Sequence, residues 1–127
     1  MIAELKKDVS IWNINSFAEF FMQILGKYST DYKLALSKIR QERDRFENEL
    51  SKINGIRVIP SQANYIMIEL LGQVSASELT KRLLINHEIL VKDLSEKISN
   101  GNYLRIAVRN STDNDRLINS LRTELKA

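Results

Sequence analysis

A chain of 127 residues, 43% apolar and 28% charged, has material for one hydrophobic core and too little for two full-sized domains. With no cysteine and a single histidine, His87, it excludes a disulfide framework, a zinc–thiolate centre, a cysteine nucleophile and a multi-histidine metal site. The net charge of +3 comes from 19 basic residues interspersed with 16 acidic ones, so no nucleic-acid footprint is expected, and no apolar run approaches the ~20 residues of a membrane span.

Residues 1–15 show no clear period, as if the sequence began mid-fold. Their opening, Ile2-Ala3-Glu4-Leu5-Lys6-Lys7-Asp8, is charged where a secretory signal would be apolar, from which a cytoplasmic address is expected. Ser16-x-x-Glu19 reads as a capping box. Phe17, Phe20, Phe21, Ile24, Leu25 and Tyr28 follow at helical spacing, predicting an amphipathic helix over 16–28 with an aromatic buried face. Ser29-Thr30-Asp31 offers further caps for a long helix over about 31–53. Its stripe is Tyr32, Leu36, Ile39, Arg43, Phe46, Leu50 and Ile53, and Arg40 with Asp44, Arg43 with Glu47 and Arg45 with Glu49 stand four apart for ion pairing.

Asn54-Gly55 stops that helix, and Ile56–Ile59 reads as a short strand ended by the only proline. Tyr65–Leu70 is β-rich and nearly continuously apolar, as in a strand covered on both faces. Ser75-x-x-Glu78 opens a helix to about Asn86 with Leu79, Leu83 and Leu84 on one side. A short strand at Ile89-Leu90-Val91, a turn at Ser99–Asn102 and a strand over Tyr103–Val108 follow. Thr112 or Asp113 then caps a last helix carrying Leu117, Ile118, Leu121 and Leu125 on one face. Helices interleaved with a few short strands imply an α+β fold, with helices packed on one face of a small, largely antiparallel sheet.

No convergent nucleophile, base and charge-stabilising group is visible. His87 ends a helix, where interaction with the helix C-terminus is the expected role, and Gly26, Gly55, Gly72 and Gly101 are isolated at turns with no phosphate loop among them. The exception is Arg105, set between Leu104 and Ile106. A guanidinium stays charged and is rarely buried alone, so this one needs an internal carboxylate such as Asp93 or Glu69, or an anionic ligand. Arg109, four residues on, shares its side if the strand stays regular, and otherwise faces solvent beyond the strand end.

Four segments occur in the order and approximate spacing of class I/II aminotransferases: Trp12-Asn13-Ile14-Asn15-Ser16-Phe17-Ala18, Pro60-Ser61-Gln62-Ala63-Asn64-Tyr65, Leu90-Val91-Lys92-Asp93-Leu94-Ser95 and Tyr103-Leu104-Arg105-Ile106-Ala107-Val108. The chain resembles that family, most nearly its histidinol-phosphate aminotransferase and threonine-phosphate decarboxylase members. The resemblance implies the C-terminal part of a pyridoxal-phosphate enzyme of fold type I. Residues 1–30 would be a junction segment and first helix, and residues 31–127 the long linking helix with the small domain. It implies that Arg105 holds the substrate carboxylate, that Arg109 is available to a second anionic group, that Trp12, Asn13 and Asn15 lie near the domain and subunit junction, and that Ser61 and Asn64 make backbone hydrogen bonds. The partners so implied are a large cofactor-binding domain, an amino-acid or phosphorylated amino-acid substrate and a second copy of the protein. The serine-rich motif carrying the Schiff-base lysine is absent, and Lys38 and Lys52 fall on the long helix, so this chain by itself is expected neither to bind pyridoxal phosphate nor to transaminate. The competing reading is a stand-alone, non-catalytic dimerisation or regulatory module on the same fold. A basic nucleic-acid binder is a third, weakened because aromatic and basic residues do not alternate on one sheet face.

Overall fold

The computed structural model describes residues 14–98 and 101–126, so Trp12, Asn13 and the first half of the expected Ser99–Asn102 turn lie outside the described residues. The chain forms two compact units that part between Ala35 and Leu36.

In the first unit, helix α1 (Ser16–Leu25) begins where Asn15, in extended conformation, accepts the Ala18 N–H on its side-chain oxygen at 2.9 Å. The cap is therefore Asn15 and not Ser16, since a carboxamide oxygen one residue earlier reaches the same orphan donors. The helix ends at Leu25 and not Tyr28. Lys27 and Tyr28 donate their N–H groups three residues back, to Ile24 and Leu25, closing a tight turn at Gly26–Tyr28. Its aromatic face is open: Phe17 is 86% exposed, and Phe20 and Phe21 are also exposed.

Helix α2 (Ser29–Leu50) starts two residues before the expected position because the Tyr28 carbonyl takes its first intrahelical bond, from Tyr32. Only the C-terminal half of its stripe is buried, at Arg43, Phe46, Leu50 and Ile53, whereas Tyr32 and Ile39 are exposed. The expected pairs four apart do not form. Arg43 meets Asp44 at 3.2 Å, Arg45 pairs with Glu42 and with Asp115 at 2.7 Å each, and Glu49 takes Lys52 at 2.5 Å and Arg122 at 3.2 Å. Glu47 accepts the Ser61 N–H at 2.9 Å. A helix-surface pair contributes about 0.2–0.5 kcal/mol, so partners one or three residues away or on another element readily replace those four apart.

Strands β1 (Ile56–Ile59), β2 (Tyr65–Leu70), β3 (Lys92–Asp93) and β4 (Tyr103–Ala107) form one antiparallel sheet in the order β1-β2-β4-β3. The first two match expectation residue for residue. The edge strand pairs at Lys92–Asp93 and not at Ile89–Val91, and β4 stops at Ala107. The register sets Met67 opposite Arg105, Tyr65 opposite Ala107, and Lys92 opposite Arg105 on the other side.

β2 is buried on one face only, in strict alternation: Ile66, Ile68 and Leu70 point inward while Tyr65 is exposed and Met67 and Glu69 are half-buried. Its apolar run reflects Met67 on the outer face, not a second layer. Helices α3 (Ala76–His87) and α4 (Ser111–Glu124) share the inner core through Ala76, Leu79, Leu83, Leu117, Ile118 and Leu121, with Leu104 and Ile106 from the sheet. Each fully buried Leu, Ile or Phe here contributes about 2 kcal/mol. Leu84, expected inside, is 48% exposed, because it falls one position past the Leu79–Leu83 row.

Ser75 caps α3 as expected, accepting the Glu78 N–H at 3.1 Å. α4 is capped by Asn110, which accepts the Asp113 N–H at 2.9 Å, and not by Thr112 or Asp113. Gly55 has φ +84°, left-handed backbone that a Cβ disfavours, and a Cβ there meets nothing within 4 Å. Gly55→Ala therefore costs conformational energy alone, about 1 kcal/mol, to be read as a lowered urea midpoint with unchanged slope.

Candidate functional site

The outer face of the sheet carries the residues of interest. Arg105 projects from β4 into an open cleft of about 770 Å³ that it lines with Asn64, Tyr65, Thr80, Leu90, Lys92 and Ala107 among others. Alternation explains the placement: Leu104 and Ile106 take the core side, so the residue between them must face out. The internal carboxylates expected as partners are engaged elsewhere. Glu69 is paired with Arg57, and Asp93 accepts from the Ser95 hydroxyl at 2.6 Å and its N–H at 2.8 Å. The Ser95 hydroxyl is the main reason that the Asp93 carboxyl sits below its ordinary value. Among the described residues no carboxylate comes within ion-pair distance of Arg105; its neighbour is the Tyr65 ring, with the guanidinium carbon 5.3 Å from the centroid.

The Pro60–Tyr65 segment is held as its sequence suggests. The Ser61 hydroxyl accepts the Ala63 N–H at 3.0 Å and donates to the Tyr65 carbonyl at 2.6 Å, and the Asn64 carbonyl accepts the Val108 N–H at 2.9 Å. These bonds fix where Tyr65 leaves the loop and enters β2.

Arg109 lies beyond the end of the ladder. Its Nε donates to Asp113 at 2.7 Å, the chief reason the Asp113 carboxyl sits below its ordinary value. It lines a separate cavity of about 280 Å³ with Ile106, Asn114, Arg116 and Leu117. Ala107, Leu90 and Val91 border both spaces, so the two arginines occupy adjoining clefts and not one. Asn15 serves as the α1 cap described above.

Two groups that sequence reasoning passed over organise the surroundings. Asn114, 1% exposed, donates to Glu42 at 2.8 Å and to the Arg109 carbonyl at 3.0 Å, and accepts the Arg109 N–H at 3.1 Å. Hydrogen bonding from Arg45, with a further bond from Asn114, holds the Glu42 carboxyl below its ordinary value. Nothing in the sequence singles out this asparagine except its place between two helical turns rich in polar residues.

Glu124 is the other. It accepts from Asn86 at 3.0 Å and meets His87 Nε2 at 2.9 Å, so His87 serves a side-chain partner on α4 and not its own helix end. Hydrogen bonds from Asn86 and then His87 hold the Glu124 carboxyl below its ordinary value of 4.5. A depressed folded-state value means stability that is present above the unfolded value and lost as pH falls through the folded one. Glu124→Gln is therefore expected to be less stable at neutral pH by an amount that shrinks below about pH 4.5, checked by urea unfolding at several pH values.

Among the described residues no cluster of His, Cys, Asp or Glu could hold a metal, and no helix is long and apolar enough to cross a membrane.

The family model described as aminotransferase class I and II matches residues 12–121. The histidinol-phosphate aminotransferase of Caldanaerobacter subterraneus is 37% identical over 114 residues, covering 89% of this chain and 31% of that protein. The L-serine phosphate decarboxylase of Campylobacter jejuni is 29% identical over 123 residues, covering 94% and 32%. Among solved structures, a decarboxylase from Sulfurospirillum multivorans superposes with a TM-score of 0.86 at 29% identity, covering 98% of this chain and 36% of that one. The histidinol-phosphate aminotransferase of Clostridium acetobutylicum gives 0.81 at 28% identity, with 98% and 37% covered. The chain thus spans about a third of the length of these relatives. Its helices and antiparallel sheet match part of pyridoxal-phosphate enzymes of fold type I, and it belongs to the class I and II aminotransferase family.

Proposed function

We propose that this chain is the C-terminal small domain, with the linking helix, of a pyridoxal-phosphate-dependent aminotransferase or related decarboxylase, and that it binds the substrate carboxylate through Arg105. The observation that carries the reading is Arg105 itself: charged, exposed on the open sheet face, lining a cleft, and without a carboxylate partner among the described residues. A planar fork of donors in that position suits a carboxylate, which it would grip by two parallel hydrogen bonds. Arg109, one cleft away and already tied to Asp113, is the candidate for a second anionic group such as a substrate phosphate, at the cost of that pair.

The cofactor does not fit this chain alone. An enclosing pocket, a lysine able to form the Schiff base and a free carboxylate for the pyridine nitrogen are needed together. The Arg105 cleft offers one open wall, Lys92 on an exposed edge strand, and Asp93 engaged by Ser95. Those groups would come from a large domain. The length of the relatives beyond the matched third supports such a domain, and the exposed Phe17, Phe20, Phe21 and Met22 of α1 are the apolar surface that it, or a second copy in a homodimer, would cover. The fragment by itself would be inactive, and the complete enzyme would work in the cytoplasm.

The same apolar helix supports the alternative, a stand-alone dimerisation module. Sequencing the locus upstream of Met1 separates the two. An in-frame large domain with a serine-rich lysine motif supports the enzyme reading. A stop codon and ribosome-binding signal immediately upstream would sink it and leave the module, whose dimer would appear in sedimentation and disappear in Phe17→Ser/Phe21→Ser.

A further inference from the structure

We infer that Tyr65 is the positioning residue for Arg105: its ring is a platform that holds the guanidinium flat over the sheet with its donor edge turned to the cleft. The inference rests on the reading of Arg105 as a carboxylate donor. Three observations carry it. The guanidinium carbon stands 5.3 Å from the Tyr65 centroid, inside the ~6 Å range of cation–π attraction. The sheet register makes the two residues diagonal neighbours, Tyr65 facing Ala107 and Arg105 facing Met67, a spacing that long side chains bridge. The backbone that carries the ring is anchored, because the Ser61 hydroxyl donates to the Tyr65 carbonyl and the Asn64 carbonyl accepts the Val108 N–H.

An arginine on an open face would otherwise spread over many rotamers, and each would have to be frozen when an anion binds. Stacking removes that freedom beforehand while leaving the in-plane N–H groups unspent, since a π face competes for none of them. A carboxylate partner such as Asp or Glu at position 65 would also order the side chain, but it would consume the very donors that the ligand needs.

The test uses ¹⁵N–¹H spectra of this 127-residue chain, following the Arg105 Nε–Hε resonance through titration with acetate. The wild type should show Hε displaced upfield by the ring and a saturable acetate response. In Tyr65→Leu the ring displacement should vanish and the acetate dissociation constant rise about two- to fivefold. Tyr65→Phe, which keeps the ring and loses the hydroxyl, should restore both. Backbone resonances of α4, on the other face of the sheet, should be unmoved in either variant, because Tyr65 is exposed and outside the core. Unchanged acetate affinity in Tyr65→Leu would overturn the inference, as would Tyr65→Phe behaving like the leucine variant. The underlying reading fails separately: if acetate perturbs the Asn64 carboxamide equally in wild type and Arg105→Gln, Arg105 is not the anion site whatever Tyr65 does.

Discussion

Arg105→Lys is expected to lower kcat/KM for a carboxylate-bearing substrate about thirtyfold, about 2 kcal/mol, in the pyridoxal-phosphate enzyme that the chain is proposed to complete. The lysine keeps the charge but replaces a planar fork with a single point donor, so it loses one of two charge-assisted hydrogen bonds and the orientation they impose together. Arg105→Gln should cost more, because the charge goes as well. Neither change should affect folding, since the side chain is on the outer face and no ion pair with a described residue is broken. Steady-state kinetics beside urea unfolding curves check both halves. Full activity in Arg105→Lys would remove this residue from the substrate site.

Asn114→Ala should destabilise the second unit by about 3 kcal/mol, the largest single loss of stability expected from a polar residue here. The carboxamide satisfies three groups at once: the Arg109 N–H, the Arg109 carbonyl and the Glu42 carboxylate. Truncation leaves these without the partner, in a site where Asn114 itself is 1% exposed and water has little access. It also frees the loop that carries Arg109, so any anion binding in the cavity bordered by Arg109 should weaken in parallel. Urea denaturation followed by far-ultraviolet circular dichroism gives the stability. A loss below about 1 kcal/mol would mean the loop finds replacement partners.

What was legible in the sequence was local. Ile56–Ile59 and Tyr65–Leu70 were bounded correctly because Gly55 and Pro60 punctuate the chain and because β-branched and aromatic residues concentrate between turns. Ser75 was identifiable as a cap because its partner Glu78 is three residues away. The caps at Asn15 and Asn110 were missed for a related reason: each stands directly beside a second residue able to cap, and only backbone conformation at the helix start chooses between them. Arg105 was legible as an anomaly of type, an obligate cation inside an apolar run.

The partners of charged groups were another matter. Arg45 holds Glu42 one helical turn off and also reaches Asp115, 70 positions away, while Arg122 reaches Glu49, 73 away. Spacing alone points His87 to its own helix end, whereas it meets Glu124 on the helix packed alongside. Such choices follow from which helix faces which, and that is set by burial of the Leu79, Leu83, Leu117 and Leu121 side chains, a non-directional force that carries no record of polar pairing.

The sequence by itself determined most of the elements, the α+β class, the inward residues of most elements and the presence of an arginine set in an apolar run, because each depends on propensities and periods within a few residues. Only the tertiary structure decided that Arg105 faces outward over Tyr65 with Asp93 and Glu69 already committed, and that Arg109 opens onto a neighbouring cleft. The physical reason is that a strand's pleat fixes alternation but not which face is covered. That choice is made when α3 and α4 bury Ile66, Ile68, Leu104 and Ile106 and leave the other side of the sheet open.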